Sequence, residues 1–104
     1  FHRDIAPVKV AVLPLSRNEK LAPTALDVYA LVRRHFPTMY DDAQSIGRRY
    51  RRQDEIGTPF CVTIDFESLE DKQVTIRDRD SMKQIRVPIA ALAAALREKL
   101  DKGW

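Results

Sequence analysis

With 104 residues, 44% of them hydrophobic and 32% charged, the chain has room for one buried core and little beyond it. Its net charge of +3 and isoelectric point near 9.2 permit a polyanionic partner without requiring one, because the distribution of charge matters more than the total. A single cysteine excludes an internal disulfide and fits a reducing, cytoplasmic compartment, and no apolar run approaches the roughly 20 residues of a membrane-spanning helix.

The chain starts at Phe1 rather than methionine, with a strand due by residue 8, so the expectation is one domain over residues 1–104 taken from a longer protein. His2 carries no signal. Residues 8–15, VKVAVLPL, are apolar on both faces over most of their length, as suits a central strand covered above and below, and Pro14 ends the pairing. The following SRNEKL has no glycine, which argues against a phosphate-cradling loop at this turn. Over 19–36 the helical period places Leu21, Ala25, Val28, Tyr29 and Val32 on one stripe, with Phe36 beyond it. Arg33, Arg34 and His35 crowd the carbonyl end before Pro37 breaks the helix, so His35 reads as a C-terminal cap contact or a solvated side chain.

A short second strand runs from 38 to 41. Asp41 and Asp42 at its carboxyl end would suit Mg2+ or, equally, a turn and the cap of the next helix; a metal site lacks a third oxygen ligand, and none is assigned. Ser45 opens a helix to about residue 56 that carries Arg48, Arg49, Tyr50, Arg51 and Arg52 but only Ile46 and Ile56 as aliphatic anchors. Its guanidinium groups are therefore presented rather than buried, beside an aromatic ring, as a polyanion with flat bases would require. Paired surface charge explains the same run without any ligand.

The third strand, PFCVTIDF, places Phe60, Val62, Ile64 and Phe66 on one face and Cys61, Thr63 and Asp65 on the other. Cys61 has no histidine or second cysteine nearby and reads as a packed thiol. ESLED turns the chain into a fourth strand, KQVTIRDRD, with Val74 and Ile76 inward. A fifth, KQIRV, follows with Ile85 and Val87 inward. The opposite face of this meander carries Thr63, Asp65, Thr75, Arg77, Arg79 and Arg86, either as solvated surface or as a binding face. A last helix over 88–102 has proline in its first turn and a stripe of Ile89, Leu92, Ala93, Leu96 and Leu100; Trp104 ends the chain. The expected fold is α/β: a mixed five-stranded sheet, order 2-1-3-4-5 with strand 4 antiparallel, flanked by three helices.

APVKVAVLPL, YDDAQSIGRRYRRQDEIGTPFCVTIDF and VTIRDRDSMKQIRV together resemble the C-terminal anticodon-binding domain of dimeric class II glycyl-tRNA synthetases, over nearly the whole chain. SIGRRYRRQDEIG and TIRDRDSM are the segments that favour the glycine enzyme over its histidyl, prolyl and threonyl relatives. The accessory subunit of mitochondrial DNA polymerase is a weaker match, with the same fold. The resemblance implies a tRNA-binding domain without catalysis or cofactor of its own. ATP and Mg2+ would belong to a separate catalytic domain of a homodimeric parent, and the partner would be the cytosine-bearing anticodon loop of glycine tRNA. By similarity Arg48 and Phe66 would enclose an unstacked base, and Tyr50, Thr63 and Arg79 would make polar contacts to cytosines. Arg49, Arg51 and Asp65 would support them, while Arg77, Asp78 and Asp80 would orient Arg79. The strand period places Phe66 in the core instead. The short Ala43–Gln44 turn departs from the family pattern and would alter contacts to the loop. Two rival classes are a receiver-like phosphotransfer domain built on Asp41, Asp42 and Asp65, and an interaction domain whose arginines are merely solvated.

Overall fold

The computed structural model describes residues 9–15, 19–41, 58–79 and 81–102. Five strands, β1 (Val10–Pro14), β2 (Thr38–Tyr40), β3 (Phe60–Ile64), β4 (Gln73–Asp78) and β5 (Gln84–Pro88), form one sheet in the order β2-β1-β3-β4-β5. β1 runs parallel to both neighbours, and β4 is antiparallel to β3 and β5, as expected from sequence. The central position of β1 follows from its composition: all five of its residues are buried, so both faces need cover.

One face of the sheet carries the main core. Val10, Val12, Phe60, Val62, Ile64, Val74 and Ile76 meet helix α1 (Ala22–Arg33) through Leu21, Ala25, Val28 and Val32, and helix α3 (Leu92–Lys102) through Leu92 and Leu96. The α1 stripe is the one that the helical period predicts. Leu92 and Leu96 stand one turn apart on α3, and burying each contributes about 1.5–3 kcal/mol. α1 stops at Arg33, short of residue 36, because Pro37 disfavours helical geometry at the residue before it. Phe36 still reaches the core, and the Arg97 guanidinium lies over its ring at 5.2 Å. Arg33 likewise covers Tyr29, 5.4 Å from its centroid. On the opposite face Ala11, Leu13 and Cys61 form a second buried cluster, so Cys61 is a packed thiol.

Three local expectations change. ESLED is more than a turn: Ser68–Asp71 form a single-turn helix, α2, whose end is marked by Lys72 in left-handed geometry at φ 57°. α3 is preceded by a 3-10 turn at Ile89–Ala91 instead of starting at residue 88. β3 ends at Ile64, so Phe66 escapes the alternation that would have carried it into the core. His2, Asp42, the helix expected over 45–56 with its arginines and Tyr50, Asp80 and Trp104 lie outside the described residues.

Candidate nucleic-acid interface

The carboxyl edge of β1 and β3 presents two apolar side chains. Leu15 and Phe66 are both exposed, Phe66 to 46%, and the Leu15 amide donates to the Ile64 carbonyl, which ties the two strand ends together. Phe66 sits on a braced turn. The Asp65 amide donates to Ser68 Oγ at 3.1 Å, while Ser68 N and Oγ donate to Asp65 Oδ1 at 2.9 and 3.0 Å. This reciprocal pattern is that of a helix capping box. The Leu69 amide donates to the Phe66 carbonyl, and Ser68 is fully buried. Phe66 therefore does not belong to the core; its ring stands over a fixed backbone.

The turn is also pinned from β5. Arg86 donates from Nη1 to Asp65 Oδ2 at 3.0 Å and from Nη2 to Asp65 Oδ1 at 3.2 Å. Its Nε and Nη2 donate to Asp71 Oδ2 at 3.3 and 3.1 Å, and Glu67 Oε2 lies 3.9 Å from Nη2. Two-pronged arginine–carboxylate pairing of this kind fixes orientation as well as charge. Partial burial opposes ionisation of Asp65, yet the Arg86 fork and the Ser68 amide and hydroxyl outweigh it, so the carboxyl is held below its ordinary range. Hydrogen bonding to Asp65 in turn raises the Arg86 guanidinium above its ordinary value. Arg86 is thus a paired cation and not part of an open arginine surface.

The remaining members of the expected polar face are not gathered on one open surface. Thr63 and Arg77 are buried, at 6% and 5% exposure, and an Arg77 Nη2–Met82 Sδ contact of 3.3 Å links β4 to the β4–β5 turn. Asp78 faces the helix side at 2% exposure. Its Oδ2 accepts from Ser81 N and Oγ at 2.9 and 2.7 Å, and Oδ1 accepts no hydrogen bond. The Asp78 carboxylate accordingly holds the β4–β5 turn and does not orient Arg79, contrary to the network expected of it.

Arg79 is half-buried at the far end of the sheet. Its amide donates to the Pro59 carbonyl at 2.9 Å, beside the start of β3, whereas Phe66 lies past the end of β3. At about 3.3 Å per residue, Pro59 and Ile64 are roughly 16 Å apart along the strand. The backbones that carry Phe66 and Arg79 thus stand at opposite ends of β3. Arg48, Arg49, Tyr50, Arg51 and Asp80 fall outside the described residues, so the expected Arg48–Phe66 sandwich and the place of Asp80 beside Arg79 do too.

The receiver-like reading needs Asp65 as a metal ligand, and both of its oxygens are engaged by Arg86 and Ser68. Among the described residues no group of histidine, cysteine, aspartate and glutamate side chains is arranged to hold a metal. Sequence reasoning missed Leu15 and the Arg86–Asp71 pair. The Asp65–Ser68 spacing was a capping signal available in the sequence.

The family described as "Anticodon binding domain" matches residues 9–99. The glycine–tRNA ligase of Clostridium acetobutylicum is 60% identical over 100 residues, covering 96% of this chain and 21% of that protein. The chain thus spans about a fifth of the length of the curated relatives that it matches. Among solved structures, the RNA-binding domain of threonyl-tRNA synthetase from Cryptosporidium parvum superposes with a TM-score of 0.79 at 26% identity, covering 88% of this chain and 23% of that one. A prolyl-tRNA synthetase of Cryptosporidium parvum has a TM-score of 0.88 at 20% identity over 95% of this chain and 23% of that one, a likeness of fold.

Proposed function

We propose a function from the premise that the chain belongs to the anticodon-binding domain family: it is the tRNA-gripping module of a glycine–tRNA ligase and reads the cytosine-bearing anticodon of glycine tRNA. The observation that carries this reading is the 60% identity to a glycine–tRNA ligase along 96% of the chain. The exposed, braced Phe66 supplies the physical counterpart, since unstacked bases in RNA loops are recognised by stacking on aromatic rings and by contacts to their edges. Thr63 and Arg79 remain candidates for polar contacts, with Arg79 reaching a different nucleotide from Phe66. The parent is proposed to be a cytoplasmic homodimer that takes up ATP and Mg2+ in a catalytic part of its own. The residues described here offer no cluster for the metal, and no step of that chemistry is placed on them.

Titration of the chain with a glycine anticodon stem-loop, beside the same stem-loop carrying altered anticodon bases, tests the proposal. Tighter binding of the glycine loop is expected. Equal affinity for both would refute anticodon reading, and absence of binding would refute the RNA-gripping role itself.

A further inference from the structure

Phe66 is a large apolar ring left 46% exposed, and its backbone is held from both sides. An aromatic side chain on a fixed backbone has few ways to move, so little order remains to be imposed when a flat ligand settles on it. Part of the constraint is local, through Ser68. The rest comes from Arg86 on β5, whose guanidinium spans the turn by pairing with Asp65 before Phe66 and Asp71 after it. One cation thus grips both ends of the segment that carries the ring.

The charges around the ring have a further consequence. Asp65, Glu67 and Asp71 lie within 4 Å of Arg86, and among the described residues the acids of this turn outnumber Arg86 and Lys72. Such a turn repels phosphate, so whatever attraction it offers RNA must come from the ring and base edges. Arg86, with its donors committed to the Asp65 and Asp71 carboxylates and the Thr75 hydroxyl, is poorly placed to serve as a phosphate contact.

We propose that Arg86 is a positioning residue for base recognition: by pinning Asp65 and Asp71 it presents Phe66 as a preformed plate for an unstacked base, without itself touching the RNA. This inference rests on the RNA-reading function proposed above and adds to it the device that sets the ring. It applies to single-stranded loop bases and not to phosphate.

The test is a set of fluorescence anisotropy titrations with the glycine anticodon stem-loop, using Arg86→Gln, Arg86→Lys, Asp71→Asn, Phe66→Leu and the double variant Arg86→Gln/Phe66→Leu. Arg86→Gln should weaken binding roughly 3- to 10-fold, as expected when the ordering of one turn must accompany binding. Lysine keeps the charge but lacks the fork, so Arg86→Lys should fall between. Asp71→Asn should also weaken binding, although it removes a negative charge near a polyanion. In the Phe66→Leu background, Arg86→Gln should have less than about a twofold further effect, as expected of residues that act as a unit. Tighter binding by Asp71→Asn would overturn the proposal, as would an Arg86→Gln effect that persists in full without the ring. A fall in the salt slope of about 0.7 in Arg86→Gln would instead mark a lost phosphate contact and refute the pin.

Amide exchange in the free protein separates this role from general support of the fold. Arg86→Gln should speed exchange at Ser68 and Leu69 by more than at Val62 and Ile76, whose smaller change reports only the loss of overall stability. Equal acceleration in the core would make Arg86 a fold residue and defeat the proposal. Failure of the unaltered chain to bind the stem-loop would sink the RNA-reading function and this inference together; binding that Arg86→Gln leaves unchanged would sink the inference alone.

Discussion

Phe66→Leu and Arg79→Ala, made singly and together, test the geometry most directly. The Arg79 amide is fixed to Pro59, and Phe66 lies beyond Ile64, so roughly 16 Å of strand separates the two ends. Substitutions more than about 7–10 Å apart without shared partners add to within ~0.5 kcal/mol. Loss of the aromatic plate should weaken binding by about 1–3 kcal/mol, or roughly 5- to 150-fold. Loss of an edge contact at Arg79 should weaken it by about 1–3 kcal/mol and reduce preference for cytosine over uracil. The double variant should therefore lose about 2–6 kcal/mol, the sum of the two. Because the Phe66 ring is 46% exposed, leucine should change the melting temperature little. For a domain of this size, a loss under about 1 kcal/mol corresponds to less than roughly 8 °C. Stem-loop titrations at one low salt concentration, with a melting scan for each variant, supply both numbers. A coupling above about 1 kcal/mol would show that both side chains meet one nucleotide and refute the two-ended arrangement. A large fall in melting temperature with unchanged RNA affinity would return Phe66 to a purely structural role.

Two further outcomes are expected. Asp65 is held below its unfolded value, so its pairing stabilises the fold fully above about pH 4 and is lost as pH falls through the depressed folded value. Urea melts between neutral and strongly acid pH should show that loss, and Arg86→Gln should flatten it; identical acid profiles would contradict the pairing. Binding of the stem-loop should also fall steeply with salt, with a log–log slope of about −2 to −3.5 for roughly three to five phosphate contacts, and a flat response would count against electrostatic attraction.

The sheet was readable because its signals are local and repeated. VKVAVLPL is apolar on both faces over most of its length, which makes β1 central, and the alternation in β3 and β4 fixes which residues meet α1 and α3. Phe66 was ambiguous because alternation says nothing about where a strand stops; the Asp65–Ser68 cap stops it two residues early. The distance between Phe66 and Arg79 was available in principle, since residues equally far from a hairpin turn meet across it, which returns Arg79 to Pro59. The Arg86 pin was not. It needs the register of β4 against β5, which sets Arg86 opposite Thr75, together with the turn that swings Asp71 towards β5. No short-range pattern specifies that meeting. Arg77 was misjudged for a related reason: charge suggests surface, whereas its side chain is buried near the β4–β5 turn.

The place of β1 in the sheet has a consequence for how the chain is made. Its ladder partners are β2 and β3, so the earliest of the five strands to be synthesised cannot finish pairing until Phe60–Ile64 has followed it. At about 5–20 residues per second, the stretch from Pro14 to Phe60 takes roughly 2–9 s to synthesise. β3, β4 and β5 form two consecutive hairpins and can zip from contacts close in sequence. Among the five strands, Val10–Pro14, entirely apolar and buried on both faces when folding is complete, is thus the one that spends longest exposed with open hydrogen-bonding edges. In the nascent chain it is the stretch that a chaperone would have most reason to hold.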